Sequence, residues 1–263
     1  MAAQWLNDKS IVIIGGTTGI GWAAATAFVE NGAKVVVVGL DQKSVDDAQS
    51  ILGNNGVAVC GDAIGPETSK SAIETCFKKF GTFDGLYHVA GGSGRKYGDG
   101  PLHEMTLDGW NKTLALNLTS MMLSNQAAIS AFMNNKTPGS ILNIGSVLGS
   151  SPSPKYFVTH AYAASKSAVI GFTKSIASYY ASYSIRANVL APGLVDTPMA
   201  RRAAADDNII KFVSTKQPLD HGRIGSPKDL VGAAVYFMSD HAMFTTGQVL
   251  NVDGGWSISE GQY

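Results

Sequence analysis

Cysteine is scarce in this chain. Only Cys60 and Cys76 occur in 263 residues, and neither belongs to a CxxC pair or a Cys/His cluster. That argues against a disulfide framework or a thiolate metal site and leaves a reduced, intracellular protein as the expectation. Charge is sparse as well: ionisable Asp, Glu, Lys and Arg make up 15% of the residues, with 20 basic side chains against 20 acidic ones. No excess of either sign draws the chain to nucleic acid or to an anionic membrane. The one adjacent arginine pair, Arg201-Arg202, reads as a solvated helix end. No apolar run approaches the ~20 residues that a membrane helix needs. The start, Met1 to Lys9, lacks a basic segment followed by an apolar one, so no secretory signal and a cytoplasmic location are expected. The five histidines (88, 103, 160, 221, 241) include no pair at i,i+4, and no metal is expected.

What the chain does have is a recurring alternation. Short β-branched or apolar runs lie at 11–14, 34–38, 57–60, 85–89, 141–144, 185–190 and 248–252. Most are apolar on both faces, as parallel strands covered on both sides are. Helical stretches separate them at 20–31, 44–52, 67–80, 107–134, 161–180 and 228–239, with Gly32 placed to stop the first and Pro227 to open the last. This order predicts one α/β domain over 1–263, a doubly wound parallel sheet of about seven strands with helices on both faces. The loop from Gly91 to Gly100 holds five glycines and is expected to be mobile. The stretch from Met199 to Gly222 reads as polar and irregular, the best candidate for a substrate lid.

Directly after the first strand comes Gly15-Gly16-Thr17-Thr18-Gly19-Ile20-Gly21. Such a turn lets backbone N–H groups approach a pyrophosphate where side chains would block it, and the next helix then presents its positive end. The second strand ends at Gly39-Leu40-Asp41. An acid there bonds ribose hydroxyls and repels a 2′-phosphate, and neither Thr18 nor Leu40 is basic, so NAD(H) is favoured. Two alternatives stay open: Asp41 as a helix cap, and Lys43 reaching the phosphate of NADP(H). Asp62-Ala63 follows the third strand, near the adenine in a doubly wound fold, or as a loop cap.

Tyr162 and Lys166 sit at i and i+4 in a helical stretch, so the phenol and the ammonium share a face. A nearby cation favours phenolate, which lowers the tyrosine's ordinary pKa and suits it to proton exchange near neutrality. Ser146 falls just past the fifth strand's carboxyl end, where ligands bind in such sheets. Asn117 lies inside a long helical stretch, a poor place for asparagine, and suggests a bound water, a kink or a satisfied core amide.

Taken in order, Gly15-x-x-x-Gly19-x-Gly21, Ala90-Gly91, Asn117, Ser146, Tyr162-x-x-x-Lys166, Pro192-Gly193 and Asn251-Val252-Asp253-Gly254-Gly255 make the chain resemble the short-chain dehydrogenase/reductase family over nearly its whole length. The resemblance implies a nicotinamide-dependent oxidoreductase acting on a carbonyl or secondary alcohol, with a tetrad of Asn117, Ser146, Tyr162 and Lys166. Tyr162 exchanges the proton and Ser146 orients the carbonyl. Lys166 lowers the tyrosine pKa and holds the nicotinamide ribose, and Asn117 binds a water linking Lys166 to solvent. Val195 and Thr197, after Pro192-Gly193, contact the nicotinamide amide. A homotetramer or homodimer is implied, with Gly254-Gly255-Trp256 at a subunit contact. Two departures stand out: Ile14 replaces the usual Thr, and His88-Val89-Ala90-Gly91 replaces Asn-Asn-Ala-Gly.

Tyr156, His160, Met199 and Phe212 are the candidate substrate-pocket walls, and the partner is a small carbonyl or alcohol substrate. A catalytically silent nucleotide-binding regulator of the same fold is the alternative. Nucleotide-sugar epimerases are disfavoured by length and enoyl reductases by their wider tyrosine–lysine spacing.

Overall fold

The computed structural model describes residues 4–262. Seven strands form one sheet: β1 (Ser10–Ile14), β2 (Lys34–Gly39), β3 (Gly56–Cys60), β4 (Gly85–His88), β5 (Gly139–Ile144), β6 (Ile185–Pro192) and β7 (Val249–Val252). Every pairing is parallel, and the spatial order is β3-β2-β1-β4-β5-β6-β7. The helices are α1 (Gly19–Glu30), α2 (Gln42–Leu52), α3 (Thr68–Phe80), α4 (Leu107–Leu114), α5 (Ser120–Asn135), α6 (His160–Tyr180), α7 (Arg201–Ala204), α8 (Asp207–Lys216) and α9 (Val231–Met238).

Strand periodicity divides the core. Ile11, Ile13, Val35, Val37 and Leu142 point into one layer with Phe28 of α1 and Val235 of α9. Val12, Ile14, Val36, Val38 and Ile141 point into the other with Ile73 of α3 and Phe132 of α5. Successive strand residues face opposite ways, so a run such as Val35-Val36-Val37-Val38 must be apolar throughout when both faces are covered. β1 pairs with β2 on one side and β4 on the other, so the chain's winding reverses there. Crevices outside the strands' carboxyl ends at such a switch point are where ligands bind in open α/β sheets.

Three expectations need correction. The stretch 107–134 is not one helix: α4 passes into a π-helical turn, Ala115–Thr119, before α5 continues. The segment 199–222 is not irregular either. It contains α7 and α8, and Ile209, Phe212 and Val213 of α8 are buried together with Val147, Ala203 and Trp256. Their i, i+3, i+4 spacing is that of an amphipathic helix, and Asp206 caps its start by accepting N–H bonds from Asn208 and Ile209. Trp256 was expected at a subunit contact. It is buried within its own chain, its Nε1 donating to the Ser151 carbonyl at 3.2 Å.

Candidate active site

The glycine turn after β1 is shaped by close approach. Gly15 has φ +81°, and a Cβ there would lie 2.6 Å from the Ala90 nitrogen; one at Gly21 would overlap the Gly15 carbonyl. The N–H groups of Gly15 and Gly16 both donate to the Val38 carbonyl at 2.9 Å. Thr18 precedes α1 in extended conformation, with no side-chain cap and no acid in the first turn. The first-turn N–H groups of α1 therefore keep their positive end for another acceptor. At Ile14, the departure from the usual Thr, the main-chain carbonyl accepts both Val89 N–H and Ala90 N–H at 2.8 Å.

Asp41 occupies the cap position of α2. Its Oδ1 accepts Ser44 N–H at 2.9 Å and its Oδ2 accepts the Ser44 hydroxyl at 2.7 Å, which hold its carboxyl below the usual carboxylate range. Thr17 joins this cluster through Ser44 Oγ at 3.0 Å. Asp62 accepts Ile64 N–H at 3.1 Å, and Ala63 is packed against the second core layer.

Beneath the sheet edge, Asn117 sits within the π-turn and is fully buried. Its Oδ1 accepts Gly92 N–H at 3.0 Å, and its Nδ2 donates to the Gly92 and Thr113 carbonyls at 2.9 and 3.0 Å. Of the readings open for Asn117, the structure shows the satisfied core amide, set in a π-helical turn that it ties to the post-β4 loop. His88 is buried and bridges Ser124, at 2.8 Å from Nδ1, and the Ala90 carbonyl, at 3.0 Å from Nε2. Burial first, and then the Lys166 charge, press its pKa down to about 3.

Lys166 is itself buried, and its Nζ donates to the Ile144 carbonyl at 3.0 Å and lies 5.6 Å from the Tyr162 ring centroid. Burial brings its pKa down to about 8. For Tyr162, burial raises the pKa and a hydrogen bond with Ser146 offsets part of the rise. The expected lowering of the phenol is therefore reversed by desolvation in the protein alone.

Ser146 and Tyr162 line one cavity of about 140 Å³, bounded by Ile20, Pro192, Gly193, Val195, Thr197 and Met199. The turn after β1, the ends of β5 and β6 and the face of α6 thus meet at the sheet's carboxyl edge. Of the four proposed substrate walls, only Met199 lines this cavity. His160, the first residue of α6, is exposed and lies outside it. Phe212 is buried behind the wall, with the Tyr156 ring 5.2 Å from it, while Phe157 and Trp256 take the lining positions. Three further residues at the site carry no site role in the sequence reading: Arg95, Arg202 and Asp99. The arginines line the cavity, and Asp99 caps α6. For Asp99 a signal existed, an acid in a glycine-rich loop, but nothing local connected it to α6, which starts far along the chain at His160.

The family model described as enoyl-(acyl carrier protein) reductase matches residues 15–257. Similar proteins include the 2-(S)-hydroxypropyl-CoM dehydrogenase 3 of Xanthobacter autotrophicus, 32% identical over 95% of this chain and 97% of its own length. The 3-oxoacyl-[acyl-carrier-protein] reductase FabG of Vibrio cholerae is 32% identical over 95% and 98%. The 2,5-dichloro-2,5-cyclohexadiene-1,4-diol dehydrogenase LinX of Sphingobium indicum is 32% identical over 97% and 99%. Among solved structures, the crystal structure of gox2181 superposes with a TM-score of 0.85 at 28% identity, covering 97% of this chain and 98% of that one.

Proposed function

The chain belongs to the short-chain dehydrogenase/reductase family, and from that premise we propose how its site divides the work of the reaction. The protein is an oxidoreductase that moves a hydride between a nicotinamide cofactor and a carbonyl or secondary-alcohol carbon. The catalytically silent alternative has no support among its relatives, which are named as dehydrogenases and reductases.

The residues fit a dinucleotide. The tight turn at Gly15, the close packing of Gly21 on the Gly15 carbonyl and the uncapped start of α1 suit a pyrophosphate held by Thr17 to Gly21. In this reading Ala90, packed against Gly15, and Gly91 border the dinucleotide, Asp62 and Ala63 take the adenine side, and the cavity-lining Pro192, Gly193, Val195 and Thr197 take the nicotinamide side. When bound, the nicotinamide gives or takes the hydride. In the reducing direction Tyr162 donates its hydroxyl proton to the substrate oxygen, and Ser146 holds that oxygen in place. The phenolate left behind is stabilised by Ser146 and by the Lys166 ammonium, which stays protonated at neutral pH with a pKa of about 8. Asn117 positions the Gly92 backbone at the rim. The observation that carries this reading is that Ser146 and Tyr162 line one cavity with Pro192, Val195 and Thr197, with the buried Lys166 Nζ 5.6 Å from the Tyr162 ring centroid.

Tyr162→Phe tests the assignment: NADH affinity stays at the wild-type value while turnover falls by about 10²–10⁴, and unchanged turnover excludes the role. For the cofactor we favour NAD(H), because the Asp41 carboxylate follows β2 and neither Thr18 nor Leu40 is cationic. Fluorescence titration with NADH and NADPH decides this, and tighter NADPH binding makes exposed Lys43 the dominant group. The segment 199–222 acts as the lid within a single domain spanning 1–263. Exposed Tyr179, Met243 and Phe244 support a homodimer or homotetramer. Two free thiols, and the absence of any membrane-crossing helix among the described residues, support a cytoplasmic location.

A further inference from the structure

The cavity around Ser146 and Tyr162 is walled mainly by apolar groups, among them Val147, Leu148, Phe157, Leu194 and Trp256. Two lining residues break that pattern, Arg95 and Arg202. They come from separate parts of the chain. Arg95 belongs to the 3-10 turn Arg95–Tyr97 after β4, and Arg202 to α7 beyond β6. Arg95 donates from Nη2 to the Tyr156 carbonyl at 3.3 Å, which leaves most of its guanidinium fork uncommitted. Arg202 has no hydrogen-bond or ion-pair partner among the described residues. The two guanidinium groups are close enough that the Arg202 charge, after burial, disfavours the charged form of Arg95.

The acid that favours the charged form of Arg95 is Asp99, and both its oxygens already accept main-chain N–H groups of α6 at 2.9 Å. Two like charges converge on a largely apolar cavity, and Asp99, its oxygens held by main-chain donors, offsets only part of their repulsion in the free protein. An anion between them removes that repulsion and gains charge-assisted, fork-shaped hydrogen bonds. Both Arg201 and Arg202 are exposed, as a solvated helix end would be, but Arg202 also lines the cavity that holds the tyrosine.

We propose that Arg95 and Arg202 form an anion subsite for the substrate, so that the enzyme acts on an oxo or hydroxy acid. Its carboxylate docks on the two guanidinium groups while its oxo or hydroxyl oxygen reaches Ser146 and Tyr162. The inference rests on the oxidoreductase reading of the site. Placing the charge away from the reacting oxygen lets the arginines select and orient the substrate without contacting the reacting atoms.

The test compares short 2-oxo and 3-oxo acids with their methyl esters as substrates for reduction by NADH or NADPH. It uses the wild type, Arg95→Met, Arg202→Met, the double variant and Tyr162→Phe. The expected result is a kcat/KM for acids about tenfold or more above that of matched esters, carried mostly by KM. Each single variant narrows that gap, and the double variant closes it, at unchanged NADH affinity and unchanged melting temperature. Esters reduced as well as acids by the wild type overturn the proposal. So does a double variant that slows acids and esters alike, or an Arg202→Met variant whose rate loss follows a loss of NADH affinity, since the arginine then serves the cofactor. Failure of the underlying reading looks different: Tyr162→Phe then leaves reduction of both series intact. If neither series is reduced, calorimetric titration of the same acids into the NADH-loaded proteins decides. Binding to the wild type that the double variant loses upholds the subsite, and equal or absent binding rejects it.

Discussion

The side chain of Asp99 accepts the main-chain N–H of Tyr162 at 2.9 Å, across 63 positions of sequence, and with its other oxygen the N–H of Ala161 at 2.9 Å. Thr159, at the formal cap of α6, makes no side-chain bond to the helix, so the loop after β4 supplies the cap instead. The carboxylate fixes the turn that carries the phenol. Asp99→Ala is expected to cost about 1–2 kcal/mol of stability. It is also expected to lower kcat by about tenfold or more through misplacement of Tyr162, with a smaller effect on KM. Asp99→Asn, which keeps one acceptor, falls between. Urea denaturation and steady-state kinetics on both variants check this, and a wild-type kcat in Asp99→Ala removes the positioning role.

His88 makes the fold acid-sensitive. A carbonyl can only accept, so Nε2 carries the proton toward Ala90 and Nδ1 accepts from Ser124. With a folded-state pKa near 3 against an ordinary 6.5, the unfolded chain binds the extra proton first as pH falls. The stability held by the neutral ring is complete above pH 6.5 and is lost as pH drops toward 3, at up to about 1.4 kcal/mol per pH unit. His88→Asn should flatten that slope, as thermal or urea melts between pH 6.5 and 4 will show. An equally steep decline in the variant assigns the acid sensitivity to other groups.

Lys166 works in the opposite pH range. Its folded-state pKa of about 8 lies below the ordinary 10.5, so a buried ammonium burdens the fold at neutral pH. That burden is relieved as pH rises from 8 to 10.5. Lys166→Met should therefore lose ground to the wild type over this interval, by up to about 3 kcal/mol. Parallel melts of the two proteins at pH 7.5 and 10 measure it, and a constant difference contradicts the burial argument.

Trp256 is the largest side chain with almost no exposure, and its ring meets Phe157 at 5.6 Å and Phe212 at 5.8 Å between centroids. Trp256→Ala should destabilise by about 3–5 kcal/mol and weaken substrate binding by enlarging the cavity. Trp256→Phe loses chiefly the bond to Ser151, about 1 kcal/mol. Calorimetric melting separates the two, and a small effect of the alanine variant places Trp256 outside the core.

The strands were legible because their signal is local. Val35-Val36-Val37-Val38 is apolar at every position, and a chain segment of that kind needs cover on both sides wherever it lies. The i,i+4 spacing of Tyr162 and Lys166 is also local, so one helix face could be read from two letters. Asn117 was half legible. Its misfit in a helix signalled a departure, but the π-turn that results depends on the Gly92 loop it grips. Asp41 was ambiguous because its choice between cap and ribose ligand depends on where the Ser44 hydroxyl turns.

From its letters alone the chain determined an all-parallel α/β sheet, a glycine turn after the first strand and a tyrosine–lysine pair on one helix, since each follows from spacing within a few residues. Tertiary structure alone decided that Asp99 caps α6 and that Trp256 turns inward. It also decided that burial governs His88, Tyr162 and Lys166, and that Arg95 and Arg202 meet at one cavity. The loops responsible are joined by the order of strands in the sheet, which sets distances between residues that no local pattern relates.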